Sequence, residues 1–222
     1  MRVVAVIDPG PDEPEHVQAL ASALEGASLV NILLTHGHDD HAGGARALAD
    51  ATGAQVWGPY GLDVVDWEMS HGVSVETDEG WLTAVDTAGH TKNHLGFHMP
   101  DRKALFAGDL LLGKGDTTWV GEYHGCVADY LESLTRLRSY DLDVIYPTHG
   151  PPLTDPADAL DRFESHRRSR IAHVREVLGT HPDASADELF DAVYGDTVSE
   201  RMREAALKSL EGLVEYARTL SD

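Results

Sequence analysis

Residues 35–41 read THGHDDH and follow the apolar run Leu29, Val30, Ile32, Leu33 and Leu34. Residues 36–41 thus hold three histidines and two aspartates at the end of a predicted buried strand. In an extended loop, His36 and His38, two apart, point to the same side. Asp40 and His41 follow where the chain turns into the next helix. The cluster offers two imidazoles to one ion, and an imidazole with a carboxylate to another. Two more histidines and an aspartate would complete both sites. The chain supplies them in Gly89-His90-Thr91, Ala107-Gly108-Asp109 and Pro147-Thr148-His149-Gly150. Each follows a short apolar run, as expected if all converge on one edge of a sheet.

The rest of the chain can house such a site. Its 222 residues are 42% apolar, enough for a real core. No stretch approaches the roughly 18 consecutive apolar residues of a membrane span. The opening MRVVAVIDPG lacks a basic region followed by a long apolar run, so no secretory signal is read and a cytoplasmic location is expected. The single cysteine, Cys126, excludes an intrachain disulfide and a Cys-rich zinc site; a small buried hydrophobe is the expected role. Acidic residues outnumber basic ones 38 to 17, for a formal charge of −21 spread along the chain. Such self-repulsion is screened by high salt, and the composition looks like that of a salt-adapted cytoplasmic protein.

Up to about residue 150, short apolar strands alternate with helices and glycine-bearing loops. Strands are predicted at Val3–Ile7, 29–34, 55–57, 73–75, 81–86, Leu95–Met99, 104–106 and 144–146, with helices at 16–25, 42–50 and 127–137. Pro151, Pro152 and Asp155-Pro156 mark a boundary. Beyond it Leu160, Phe163, Ile171, Val174 and Leu178 recur at helical spacing, and Leu207, Leu210, Leu213, Val214 and Ala217 form a last stripe. Ser185 with Glu188, and Thr197 with Glu200, are capping-box candidates. The expected division is a domain at 1–154 and a helical appendage at 155–222.

HxHxDH followed by GH, GD and PxHG, in that order, resembles the metallo-β-lactamase-fold hydrolases. Asp8 in VIDPG matches the family's first motif, and the likeness covers residues 3–152. It implies an α/β fold, a four-layer αββα sandwich carrying a small winged-helix-like tail. It implies that His36, His38 and His90 bind one divalent ion, that Asp40, His41 and His149 bind a second, and that Asp109 bridges them. Asp8 would steady the histidine loop from behind. Nitrogen and oxygen ligands suit Zn²⁺ and leave Mn²⁺ or Fe²⁺ open. A metal-bound hydroxide would then attack an ester, thioester or phosphodiester, with Asp40 and Asp109 as the carboxylates of the catalytic centre.

Within the family three branches differ. A β-lactamase would be secreted. Glyoxalase II hydrolyses glutathione thioesters, but its loop after GD usually carries glycine, cysteine and phenylalanine. Here Gly115, Thr117, Thr118, Asp129, Tyr130, Ser133 and Leu134 look more like the lactamase-like subgroup that includes single-stranded endoribonucleases. The expected partner is therefore a small ester or thioester, or single-stranded RNA, with a homodimer as a further expectation. A metal-binding module without turnover is the competing class; no ligand position is lost, which favours an enzyme.

Other residues carry open alternatives. His94 sits either behind the ligands or in a purely structural role. His124 either faces substrate or is an exposed loop histidine. Lys114, five residues after Asp109, is a candidate for steadying a substrate anion. Arg162, Arg167, Arg168, Arg170 and Arg175 crowd one predicted helix, either as an anion contact or as a solvated face paired with local acids. Family members usually place two or three strands before the Asp8 motif. This chain begins almost at that motif, so one sheet is expected to present an open edge.

Overall fold

The computed structural model describes residues 2–220. Two sheets face each other. The first runs β1 (Val3–Ile7), β2 (Leu29–Leu33), β3 (Gln55–Gly58) and β4 (Trp67–Glu68), all parallel neighbours. The second runs β5 (Ser74–Thr77), β6 (Gly80–Asp86), β7 (Leu95–Met99), β8 (Ala104–Gly108) and β9 (Val144–Pro147), antiparallel except for the β8–β9 pair.

Alternation of side chains explains the layering. On β2 and the residue after it, Ile32 and Leu34 face outward and pack with Val17 of helix α1 (Pro14–Ala23) and with Leu48 of a second outer helix, Ala45–Thr52. Leu33 points the other way, to Leu82, Ala84, Phe97 and Ala104 of the second sheet. On that sheet's far side Val85, Leu105 and Ile145 pack against a helix at Cys126–Leu137. The order is helix, sheet, sheet, helix, as the family likeness implied.

The histidine stretch turns helical sooner than expected. Helix α2 (Asp39–Ala42) starts inside it, with His38 at the N-cap, and α3 (Ala45–Thr52) follows. Asp39 and Asp40 lie in the first turn, where acidic groups favour a helix start. The two-residue β4 has no counterpart among the predicted strands. Helix α4 (Cys126–Leu137) starts one residue before its expected place.

The C-terminal segment is helical: α5 (Pro156–Thr180), α6 (Ala186–Tyr194) and α7 (Arg203–Thr219). Asp155 caps α5 and Ser185–Glu188 closes a capping box on α6. Thr197 and Glu200 form no second box. Instead Thr197 bonds back to the Tyr194 carbonyl, and the chain makes two 3-10 turns, Gly195–Thr197 and Glu200–Met202, before α7. No strand occurs among the described residues after 155, so the tail has no wing. Phe163, Val174, Leu210 and Leu213 join Val127 and Leu134 of α4 in one continuous core.

β1 forms one edge of the first sheet. Val3 makes two hydrogen bonds with Asp78, both 3.0 Å: its N–H donates to the Asp78 side-chain Oδ2, and its carbonyl accepts from the Asp78 N–H. Beside the rest of β1 lies an open groove of about 1100 Å³, lined by Ala5, Ile7, Leu82, Met99, Phe106 and Tyr146. No described helix is long and apolar enough to cross a membrane.

Candidate metal centre

The centre is organised by Asp8. Its φ of 50° is unusual for a residue with a Cβ and marks a strained turn at the end of β1. That turn aims a buried carboxylate at three elements. Oδ1 accepts from the Thr35 N–H at 2.8 Å; Oδ2 accepts from the Thr35 hydroxyl at 2.7 Å and lies 2.9 Å from His41 Nδ1. The Thr148 hydroxyl adds a longer contact at 3.3 Å. A carboxylate accepts here, so His41 Nδ1 carries a hydrogen and Nε2 is the nitrogen that faces the centre. His16 supports the same turn by donating to the Pro9 carbonyl at 2.8 Å.

Three nitrogens meet on one side. His38 Nδ1 lies 3.0 Å from His36 Nε2 and 3.1 Å from His90 Nε2. His36 Nδ1 rests on the Thr35 hydroxyl at 2.9 Å, and His90 Nδ1 donates to the Trp119 carbonyl at 2.9 Å. Gly89, at φ 141°, brings this loop down onto α4; a Cβ there would meet the Tyr130 backbone at 2.7 Å.

On the other side, His149 Nε2 lies 3.2 Å from Asp40 Oδ2, and His41 Nε2 lies 3.7 Å from the same oxygen. Asp109 stands between the groups. Its Oδ2 is 3.7 Å from His90 Nε2, while its Oδ1 is 3.5 Å from His41 Nε2 and 3.6 Å from His149 Nε2. Asp109 is held by its backbone, since its N–H donates to His94 Nε2 at 3.2 Å and its carbonyl accepts from the Thr118 hydroxyl at 2.7 Å. His94 Nδ1 meets the Thr87 hydroxyl at 2.8 Å. Gly108, at φ 52°, leaves no room for a Cβ between His94 and Thr35.

The electrostatics differ between the two sides. Burial, reinforced by four neighbouring histidines, drives His36 far below the usual imidazole range. Burial likewise lowers His90 and, more strongly, His94. These rings stay neutral and keep a lone pair. Burial opposes the charged form of His41 too, but the carboxylates of Asp109 and Asp8 outweigh it and push His41 up to about 10. Burial works against ionised Asp109, yet the nearby imidazole of His41, with His90 and His149 beside it, holds it below the usual carboxylate range.

These donors fit divalent metal. Ligand nitrogens about 2.0–2.1 Å from a tetrahedral ion sit roughly 3.3 Å apart, close to the spacings of the His36, His38 and His90 nitrogens. His41 Nε2 and Asp109 Oδ1 are buried without a hydrogen-bond partner, which is costly unless something else satisfies them. Two clusters of ligand atoms close enough for one ion are His36–His38–His90 and Asp40–His41–His149. A third, Asp8–His36–His41, overlaps both; its Asp8 oxygens are already engaged by Thr35 and His41.

All seven expected ligands thus converge, with Asp8 and His94 directly behind them. The substrate candidates do not join them in the same way. His124 is exposed and pairs with Glu215 of α7 at 3.1 Å. Lys114 is exposed and follows Gly113, whose N–H donates to the His149 carbonyl at 2.8 Å, so it lies beside the second group along the chain. Four of the five α5 arginines serve the fold. Arg167 is buried, donates to the Thr118 carbonyl at 2.9 Å and lies 5.0 Å over the Tyr130 ring. Arg162 holds Asp158 and the Gly115 carbonyl, Arg168 holds Glu164, and Arg170 lies over Tyr194. Thr35 and Trp119 were not singled out from the sequence. Thr35 stood within the quoted stretch, whereas the Trp119 role is a main-chain carbonyl, which carries no residue signature.

The metallo-beta-lactamase superfamily model matches residues 3–149, and the chain belongs to that superfamily. The fold and this cluster define a metallo-hydrolase domain. Among individual proteins it is similar to the beta-lactamase-like protein 2 homolog of Caenorhabditis elegans, 29% identical over 86% of this chain and 67% of that protein. It is 27% identical to the atrochrysone carboxyl ACP thioesterase of Aspergillus fumigatus, over 91% of this chain and 51% of the other. It is 30% identical to the hydroxyacylglutathione hydrolase of Erythrobacter litoralis, over 80% and 78%. A metallo-beta-lactamase family protein from Thermus thermophilus superposes with a TM-score of 0.77 at 21% identity, over 97% of this chain and 84% of that one. The chain spans between about half and two thirds of the length of the first curated relatives it matches.

Proposed function

We propose that this domain is a dinuclear metal-dependent thioesterase. The observation that carries the reading is Asp109, whose two carboxylate oxygens each face a separate three-donor group. Divalent ions in such a pair, most simply Zn²⁺, acidify water near neutral pH and polarise a substrate carbonyl. The chain's own residues set where this happens. His36 and His90 are buried, whereas Asp40 and His149 are exposed, so substrate approaches over the Asp40–His149 side. Asp40 Oδ2, 3.2 Å from His149 Nε2, stands at that mouth, placed to orient the attacking water and take its proton. Lys114, next to the Gly113 that bonds His149, is placed to steady an anionic part of the thiol leaving group.

Two considerations favour a thioester over RNA. Relatives include proteins named as a thioesterase and a hydroxyacylglutathione hydrolase. RNA binding draws on basic side chains for the phosphates, and Arg162, Arg167 and Arg168 are committed to Asp158, Thr118 and Glu164. Three of the residues that resembled a ribonuclease subgroup have scaffold duties. Thr118 holds Asp109, Ser133 donates to the Ala88 carbonyl, and Tyr130 packs beneath Gly89.

The test is thiol release from an S-acyl glutathione and an acyl-coenzyme A by metal-loaded protein in high salt, with labelled single-stranded RNA assayed in parallel. Thiol release that Asp40→Ala lowers at least about 100-fold is the expected result. RNA cleavage without thiol release would overturn the thioester reading.

A further inference from the structure

Residues 109–125 run as a strap between the metal centre and the C-terminal helices. At its start, Thr118 holds the Asp109 carbonyl from one side, and its own carbonyl accepts from Arg167 of α5. At its end the Gly125 N–H donates to Glu215 of α7 at 3.2 Å. Between them Gly121 presses so close to α7 that an added Cβ would meet the Lys208 and Ser209 backbone at 2.7 Å. Trp119 sits in the middle and faces both ways. Its carbonyl accepts from His90 Nδ1 at 2.9 Å, and its indole N–H donates to the Ala205 carbonyl of α7 at 3.2 Å. Its ring lies 5.8 Å from His90 and 6.1 Å from His38, centroid to centroid.

The acceptors that orient the buried ligands come from different parts of the molecule. His36 and His41 are set by Thr35 and Asp8, both at strand ends of the first sheet. His90 is set by a loop carbonyl whose position depends on α7. A carbonyl can only accept, so this contact fixes the His90 hydrogen on Nδ1 and the lone pair on Nε2, and it sets the ring's tilt toward His36 and His38.

We propose that Trp119 is a positioning residue through which the C-terminal helices set the affinity of the His36–His38–His90 group for its ion. The inference rests on the dinuclear reading above. The chemistry is selective: loss of the indole anchor lets the carbonyl drift and loosens His90. The Asp40–His41–His149 group is oriented by Asp8 and the His149 loop, so it is left intact. If the indole were merely filling space, its replacement would lower stability without separating the two ions.

The experiment is a competition titration of the 222-residue chain against a chromophoric zinc chelator, with unfolding followed in parallel. Trp119→Phe keeps an aromatic ring but removes the bond to Ala205. Gly121→Ala pushes the strap off α7 while Trp119 is retained. Trp81→Phe, at an exposed tryptophan on β6, is the control. In both strap variants one equivalent of zinc should bind about tenfold more weakly, within the range for residues that orient metal ligands. The other equivalent should bind as in the wild type, and Trp81→Phe should change neither. Equal weakening of both equivalents, or none in Trp119→Phe, would overturn the proposal. A wild-type chain that takes up no zinc would instead sink the dinuclear reading, and this inference with it.

Discussion

The histidine loops and the arginine face of α5 are both dense polar clusters, yet the fold uses them in opposite ways. His36, His38 and His41 come from one stretch and His90 and His149 from two other loops, and they converge with Asp109 between them. Arg162, Arg167, Arg168 and Arg170 lie within nine residues of one helix and diverge to Asp158, Thr118, Glu164 and Tyr194. A helix spreads neighbours around its axis, so density along a helix scatters in space. Ligands at successive strand ends gather at one sheet edge. The better sign of a site is therefore recurrence after strands rather than local density.

That contrast can be tested by seeing which cluster answers to metal. The largest effect should appear in protein stripped with a chelator, as a function of pH. His41, pushed up to about 10, holds a proton in the folded state that the unfolded chain releases above its ordinary value of 6.5. Its contribution is complete below pH 6.5 and is lost as pH rises toward about 10. His36, His90 and His94 have lowered values, so below about pH 6.5 the unfolded chain gains protons that the folded chain refuses. Denaturant unfolding of the stripped chain should therefore show stability falling in both directions from near pH 6.5. Reloading with metal should remove the alkaline loss, because a liganded His41 must be deprotonated. An alkaline limb unchanged by metal would separate His41 from the centre.

A smaller effect belongs to the arginines, and it should not depend on metal loading to the same degree. Arg167→Met removes a buried donor from the Thr118 carbonyl and should cost about 1.5–3 kcal/mol of folding stability. Arg168→Gln removes an exposed i,i+4 pair with Glu164 and should cost no more than about 0.5 kcal/mol. Equal losses would mean that the helix acts as one charged face, as a nucleic-acid contact would require.

Much of this was legible in the sequence where side-chain chemistry or period carried it. β1 at Val3–Ile7 and β7 at Leu95–Met99 fall where the apolar runs placed them. The seven residues that converge were readable because each is a side chain able to bind metal that follows an apolar run. β4 was not, since two residues have no period. Nor was the start of α2 within the histidine stretch, because ligand spacing and helix capping read the same letters differently. The Trp119 carbonyl and the Asp109 N–H bonded to His94 were invisible, as every residue owns those atoms. The tail's dependence on Arg167 and Gly121 is likewise a matter of approach in space, which no local pattern encodes.

The most direct test of the central claim is a metal count per chain, by elemental analysis after loading with excess zinc and removal of unbound ions. The account predicts about two ions in the wild type and about one in Asp40→Ala and in His149→Ala. One ion or none in the wild type, or two retained in either variant, would contradict it.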